Sequence, residues 1–399
     1  MPRILRIINR FNLGGPTYNA AYLTKYLAPD FETLLVGGEK DDSEDSSQFI
    51  LDNLGIEPVI IQEMKREIDL KKDFEAYRKI VNLIKEFKPD IVHTHASKAG
   101  TLGRLAASNQ KVPVIIHTFH GHVFHSYFGK MKTLFYKNVE RNLARNTTKI
   151  IAISEKQKAE LSLVHRIANP DKIAVIPLGF DLSRFSENKE SKRKNFREKY
   201  KLADNEIAIG IIGRLVPIKN HSLFLQAAAE ILKDKSIPNI RFFIIGDGES
   251  RLLIEQEAKN LNIDIIDYKK EAKVAQLTFT SWIKEIDVAL AGLDIVTLTS
   301  LNEGTPVSLI EAQAAGKPIV STNVGGIENV VIPNKTAFLV QNKNDFHTFA
   351  ARLKDLISSE KLRNDMAELS WHHVEKKYHF TRLTKDTSDL YFQLLNQKQ

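Results

Sequence analysis

The chain has 399 residues, 43% of them hydrophobic, a formal net charge of +8 and no cysteine. That length implies two domains. The missing thiols exclude disulfides and thiolate metal sites, and no apolar run approaches the ~20 residues of a membrane span. A basic excess suits phosphorylated substrates, an anionic membrane face or nucleic acid. Apart from a cluster between Lys130 and Lys149 the basic residues are dispersed, and no nucleic-acid-binding signature accompanies them, so nucleic acid is not an expected partner.

Residues 3–9 read as a first strand, too short and too charged for a signal peptide. Gly14-Gly15 follows, with a helix from near Pro16. Further strands are predicted at 33–36, 59–61, 91–93, 114–117, 150–153 and 173–176, with helices at 70–87 and 101–109 among the intervening segments. Strand–helix alternation predicts a parallel sheet covered on both faces. Residues 177–181 are turn-like. The stretch 186–197, with seven ionisable side chains in twelve residues, reads as a linker or surface segment.

The alternation restarts at 207–212 and continues through 241–245, 295–298, 318–321 and 338–340. Two α/β domains are therefore expected, at 1–183 and 184–378. Residues 379–399 form an amphipathic tail helix expected to pack back on the first domain. Ligands of such sheets sit at the carboxyl ends of the strands, so a cleft between two facing sheets is the expected site.

The most informative segment is 294–316, where an apolar strand runs through a polar loop into a helix. Thr305 reads as the capping hydroxyl and Pro306 as the first helical residue. A helix start offers free N–H groups and partial positive charge, which attract phosphate. Glu303 precedes it, and Glu311 lies roughly 7 Å further along the axis. The apolar or small neighbours Val307, Leu309, Ile310, Ala312, Ala314 and Ala315 predict a buried helix, in which a carboxylate needs partners such as ribose hydroxyls. The alternative is a solvated carboxylate.

Other candidates also stand at strand ends. Gly14-Gly15 permits close backbone approach to a ligand, or merely makes a tight turn. Arg214 and Lys219, five apart, suit a diphosphate, or are two solvated cations. His117, His120, His122 and His125 are four of the twelve histidines in nine residues. With no carboxylate nearby in sequence, a metal site is disfavoured against a single ligand-contacting histidine. Gly246-Asp247-Gly248-Glu249 and Gly325-Gly326-Ile327-Glu328 are further glycine loops. No Gly-x-x-x-x-Gly-Lys-Ser/Thr, no Gly-x-Gly-x-x-Gly after the first strand and no Gly-x-Ser-x-Gly occurs, which disfavours an ATPase, an NAD-dependent dehydrogenase and a serine hydrolase.

Nearly the whole chain resembles the retaining GT-B glycosyltransferases of family four. Glu303-Gly304-Thr305-Pro306-Val307-Ser308-Leu309-Ile310-Glu311 matches that family's Glu-x7-Glu motif. Gly14-Gly15, His120-Gly121, Ala152-Ile153-Ser154, Ile176-Pro177-Leu178-Gly179-Phe180-Asp181, Gly213-Arg214-Leu215 with Lys219, Gly246-Asp247-Gly248 and Gly325-Gly326 stand in its order and spacing.

The resemblance implies an α/β GT-B fold, two Rossmann-like domains facing each other across a cleft. It implies transfer of a hexose-type sugar from a nucleoside-diphosphate sugar, a UDP-sugar favoured, to an acceptor hydroxyl with retained anomeric configuration. By the same resemblance Arg214 and Lys219 hold the donor diphosphate, Glu311 the ribose, and Glu303 hydroxyls of the transferred sugar. Backbone of Gly304, Thr305, Pro306 and Val307 supports sugar and phosphate. Gly14 and Gly15 approach phosphate and acceptor, Gly246 lines the nucleotide pocket, and His120 lies near the reacting carbon. Neither metal nor cofactor is implied.

Two departures stand out. Ser281 occupies a position usually held by glycine in the segment lining the base pocket, and 264–276 is longer than usual. A sugar-nucleotide epimerase or phosphorylase, and a non-catalytic sugar-nucleotide-binding protein, are the rival readings.

Residues 127–145 carry Tyr127, Phe128, Met131, Leu134, Phe135, Val139 and Leu143 among Lys130, Lys132, Lys137, Arg141 and Arg145. This is either a basic amphipathic helix facing an anionic membrane or a core-packed helix with a solvated basic face. With the resemblance, the expectation is a cytoplasmic enzyme in peripheral contact with the inner membrane face. Its acceptor would be a saccharide or lipid-linked saccharide of polysaccharide or glycolipid synthesis.

Overall fold

Short runs rich in isoleucine and valine, buried on both faces, form two parallel sheets in a computed structural model. It describes all residues except 13, 41–46, 66, 122–129, 238 and 399. Residues 1–180 with 378–399 make one compact unit and residues 181–377 the other.

The first unit holds β1 (Arg3–Arg10), β2 (Glu32–Gly38), β3 (Val59–Ile60), β4 (Ile91–His95), β5 (Val114–Phe119), β6 (Lys149–Ala152) and β7 (Ile173–Val175), in the order β3-β2-β1-β4-β5-β6-β7. The second holds β8 (Ile207–Ile212), β9 (Ile240–Ile245), β10 (Ile265–Asp267), β11 (Leu277–Ser281), β12 (Ile295–Leu298), β13 (Ile319–Thr322) and β14 (Ala337–Val340), in the order β10-β11-β9-β8-β12-β13-β14. In each sheet the order reverses beside the first strand, the switch point at which α/β sheets bind ligands. β10 falls inside the stretch that reads in sequence only as an enlarged insertion.

Two faces cover the first sheet. Leu5, Ile7, Val92 and Ile115 pack under the helices Leu70–Phe87 and Ser97–Asn109. On the other face Ile4, Ile91, Val114 and Ile116 meet Leu383, Leu390, Tyr391 and Leu394 of the terminal helix Phe380–Asn396. Each such buried leucine contributes about 2 kcal/mol. The chain leaves and re-enters this unit at one place, where the Phe180 N–H donates to the Tyr378 carbonyl (2.8 Å) and the Phe380 N–H to the Phe180 carbonyl (3.0 Å).

Residues 186–197 are not a linker. Lys189–Lys199 is a helix whose Phe196 ring is buried so closely against Gly292 that a β-carbon there would come within 2.1 Å of it. Its charges find partners: Arg193 (2.7 Å) and Arg197 (3.3 Å) grip Asp294, and Lys192 pairs with Asp287 (2.9 Å). A buried pair, Arg104–Glu140 at 2.7 Å, likewise ties Ser97–Asn109 to the helix Lys130–Asn146.

That last helix divides along its length. Leu143 and Ala144 are buried, whereas Met131 (88%), Leu134 (56%) and Phe135 (64%) are exposed. Tyr127 and Phe128 lie outside the described residues.

Candidate functional site

In the second unit the loops after β8 and β12 are laced together. The Leu301 N–H donates to the Ile218 carbonyl (2.8 Å) and the Thr299 hydroxyl to the Lys219 carbonyl (2.9 Å). This places Lys219 Nζ 2.5 Å from Glu303 Oε1, an oxygen that also accepts from the Ser300 hydroxyl (2.6 Å). Both side chains are largely buried. Arg214 does not join them. It is exposed and pairs with Glu249 at 3.3 Å.

The helix begins one residue later than its sequence suggests. Val307–Ala314 is helical, Pro306 stands at the N-cap with ψ 101°, and no side chain caps the start, so Thr305 is not the cap. Leu309 and Ile310 N–H groups turn back to the Pro306 carbonyl. The earlier amides are the ones a helix start leaves without intrahelical partners. Gly304, just before them, has open space where a β-carbon would be.

The remaining glycine loops have a different reason for their glycines. A β-carbon on Gly325 would come within 1.9 Å of the Glu303 carbonyl oxygen, and one on Gly326 within 1.9 Å of that of Gly304. The Gly326 N–H also donates to Glu303 O (2.9 Å). A β-carbon on Gly246, whose φ is +144°, would meet the Gly213 oxygen at 1.9 Å. These residues let loops of the same unit touch and so brace the site. Opposite Gly246, Ser281 is buried with φ +55° and its carbonyl accepts from the Gly246 N–H (3.1 Å). Left-handed backbone of this kind costs a side-chain-bearing residue about 1 kcal/mol, which accounts for glycine being usual there.

Glu311 is partnered by a residue that sequence reading missed. Arg184, from the short helix Ser183–Ser186, brings its guanidinium to 3.5 Å from Glu311 Oε1. Lys192 donates to the Arg184 carbonyl (2.5 Å) while holding Asp287. Burial pushes the Glu311 carboxyl up to about 7; Arg184 opposes the rise and Asp287 adds to it. The contact joins residues 127 apart, and no local pattern signals it. A separate polar cavity of about 480 Å³, lined by Arg193, Glu206, Asp294, Lys317 and Arg363 among others, opens at the amino ends of β8, β12 and β13 and holds none of these residues.

In the first unit, Gly14 precedes the helix Gly15–Tyr26 and its carbonyl accepts from the Thr17 N–H (3.1 Å). Little but Pro16 lies near where its β-carbon would be. The histidines separate by strand alternation. His117 faces the Ser97–Asn109 helix, its Nδ1 2.8 Å from the Thr94 hydroxyl. His120, just past β5, lies with Nε2 2.9 Å from Nδ1 of the fully buried His95. His122 and His125 lie outside the described residues. Among the described residues no cluster of histidine and carboxylate side chains is arranged to hold a metal ion. Burial keeps His93, His95 and His117 neutral and lowers His120 to about 3.

The family model for glycosyl transferases group 1 matches residues 192–370, and that for glycosyltransferase family 4 matches residues 13–184. An Escherichia coli protein, UDP-Gal:alpha-D-GlcNAc-diphosphoundecaprenol alpha-1,3-galactosyltransferase, is 33% identical over 334 residues, 84% of this chain and 83% of that one. The chain belongs to glycosyltransferase family 4. Capsular polysaccharide biosynthesis glycosyltransferase CapM of Staphylococcus aureus is 27% identical over 342 residues, 84% of this glycosyltransferase and 85% of CapM. The crystal structure of Anabaena HepE in complex with UDP matches with a TM-score of 0.79 at 18% identity, covering 98% of this glycosyltransferase and 100% of HepE. The two seven-stranded sheets are thus those of a GT-B glycosyltransferase.

Proposed function

We propose that this glycosyltransferase moves a hexose from a UDP-sugar, with retention and without a metal, to a hydroxyl of a lipid-linked saccharide in polysaccharide or glycolipid synthesis. The observation that carries the reading is the convergence, in one unit, of Lys219 on Glu303 beside an uncapped helix start, with Glu311 further along that helix. Lys219 and the helix start offset the diphosphate charge, and Arg214 reaches the same group by exchanging Glu249 for phosphate. Backbone of Gly304, Thr305, Pro306 and Val307 supports sugar and phosphate. Glu303 accepts from hydroxyls of the transferred sugar, Glu311 from the ribose, Gly246 and Ser281 line the base pocket, and Gly14 and Gly15 approach phosphate and acceptor. His120 acts beside the transferred sugar.

The bond from the anomeric carbon to the phosphate oxygen breaks and the bond to the acceptor oxygen forms on the same face. The acceptor proton passes to an oxygen of the departing diphosphate. Glu303, with one oxygen already shared between Lys219 and Ser300, is a hydroxyl-binding group rather than the nucleophile of a glycosidase. The UDP of the Anabaena structure and the UDP-Gal and diphosphoundecaprenol in the Escherichia coli relative's name support the donor and acceptor classes.

No helix among the described residues is long and apolar enough to cross a membrane. The exposed Met131, Leu134 and Phe135 on a helix bearing Lys137 and Arg145 support peripheral contact with an anionic surface, which for this reading is the cytoplasmic face of the membrane. Calorimetry with UDP-galactose tests the reading. Lys219→Ala is expected to weaken binding about 100-fold and Arg214→Ala about tenfold. Unchanged affinity in both variants sinks the diphosphate assignment.

A further inference from the structure

The histidine face of the first unit holds one group that the reaction above does not use. His95 is fully buried at the end of β4. Its ring lies between His93, with centroids 4.2 Å apart, and His120, with centroids 5.2 Å apart. Strand register explains the grouping. His95 pairs with Thr118 across β4 and β5, so His93, His95, Thr118 and His120 point to one face, the face of the terminal helix.

One side of this row has its protons fixed. Arg6 donates to the Tyr391 hydroxyl (3.0 Å), and an arginine has nothing to accept with. The Tyr391 proton therefore goes to His93 Nδ1 (2.5 Å), and His93 donates from Nε2 to the Thr118 hydroxyl (2.7 Å). His93 is thus a locked neutral ring against which His95 stacks.

The other side has two neutral rings sharing one hydrogen bond, His95 Nδ1 to His120 Nε2. Their outer nitrogens, His95 Nε2 and His120 Nδ1, are buried without a partner among the described residues. Each neutral ring carries one N–H. Were His120 the donor, His95 would carry its proton on Nε2, sealed in the core with no acceptor, and a buried unpaired donor is the costlier orphan. With His95 donating, its Nε2 is a bare lone pair, and the unpaired N–H moves to His120 Nδ1. His120 Nδ1 is itself covered, but its residue is of intermediate burial just past the end of β5, beside Gly121, around whose β-position there is open space. There a ligand can supply the acceptor.

We propose that His95 is a positioning residue: its Nδ1–H donates to His120 Nε2, holds that ring in place and fixes its tautomer so that Nδ1–H is presented to a hydroxyl oxygen of the sugar being transferred. The proposal rests on His120 acting beside the transferred sugar. The nitrogen a histidine presents is set by the bond its other nitrogen makes.

The test is nitrogen-15 NMR of the whole wild-type protein, joined to kinetics of four variants. In the wild type, His120 Nδ1 is expected to show the protonated shift and Nε2 the unprotonated one; the reverse assignment overturns the proposal. Since His95→Phe has a ring without the donor, it is expected to lose about tenfold in kcat with donor KM within about twofold. His95→Asn, whose amide puts a donor where Nδ1 stood, is expected to recover most of the loss. His120→Ala and the His95→Phe/His120→Ala double variant should fall together, because the first residue acts only through the second. A damaging His120→Ala with a fully active His95→Phe overturns the role of His95 alone. A harmless His120→Ala removes the reading on which the proposal rests. Should His95→Phe fail to fold, the wild-type tautomer decides.

Discussion

The carboxyl edges of the two sheets solve different problems. In the second unit the groups are charged and already paired with one another: Lys219 with Glu303, Arg184 with Glu311, Arg214 with Glu249. In the first, apart from the buried Arg6 guanidinium that donates to Tyr391, they are neutral rings and hydroxyls joined by hydrogen bonds and buried from solvent. On the proposed reading a diphosphate brings charge, and a site holding its own counter-ions would meet it by exchange rather than by exposing bare charge beforehand. A sugar hydroxyl brings only direction, and a rigid neutral ring supplies that. The comparison therefore predicts that the second unit governs affinity and leaving-group stabilisation while the first governs geometry.

The largest effect that could break this division is at Glu303. Glu303→Gln keeps the shape but leaves Lys219 without its carboxylate and weakens the grip on sugar hydroxyls. A loss of about 100-fold in kcat is expected, measured as release of nucleoside diphosphate coupled to transfer. Because Lys219 is then freer for phosphate, affinity for UDP alone should hold or rise. A variant that loses UDP affinity instead would show that Glu303 organises the diphosphate site, and the two roles would not separate as drawn.

At the neutral edge the corresponding substitution is Tyr391→Phe, on the terminal helix. It takes away the acceptor of Arg6 and the donor to His93, leaving buried polar atoms unpaired beside an Arg6 Nε that has no partner already. The expected cost is about 1–3 kcal/mol of stability, read as a lower midpoint in urea with UDP affinity untouched. Loss of UDP affinity would mean the first unit's network reaches the nucleotide and would blur the contrast.

How far sequence carries such an argument differs between the same two regions. Strands of isoleucine and valine were legible because β-branched runs report burial directly; 207–212 and 295–298 coincide with β8 and β12. β10 was not legible, since its three half-buried residues end in an aspartate at the sheet edge. For the charged stretch 186–197 the surface alternative holds and the linker alternative fails, because its counter-ions, Asp287 and Asp294, lie about a hundred residues away, as the 101-residue span from Arg193 to Asp294 shows. Glu303, Lys219 and Glu311 stand out in sequence through their motif, but Arg184 and Tyr391 do not. Each meets its partner across a long span, 127 residues for Glu311 and 298 for His93. Glycines carry more than one meaning. Gly246, Gly325 and Gly326 read as ligand loops, and the structure adds a second demand on them, contacts between backbones, whereas Gly304 and Gly121 face open space.

The smallest expected effect sharpens the comparison through pH. Burial pushes the carboxyl of Glu311, which we propose holds the ribose, up to about 7. Ribose hydroxyls donate best to the ionised form, so affinity for UDP-galactose, whose diphosphate has no proton to lose in this range, is expected to rise between pH 6 and 8 by up to about tenfold. Glu311→Gln should flatten the profile. Arg184→Met, which removes the cation opposing the rise, should move its midpoint upward. Stability runs the other way. A carboxyl whose folded value lies above its unfolded 4.5 holds its proton more tightly when folded. Its contribution is therefore full below about 4.5 and is lost as the pH climbs through 7. Glu311→Gln removes that loss, so the variant should gain on the wild type in urea midpoint across the same window in which it fails to gain UDP-galactose affinity. His120, neutral throughout that range with a value near 3, should contribute no inflection between pH 6 and 8. With UDP-galactose as the ligand, an inflection that survives in Glu311→Gln and disappears on adding His120→Ala would mean the first unit's edge is not neutral, and the distinction between a charge-exchanging edge and a directional one would fail.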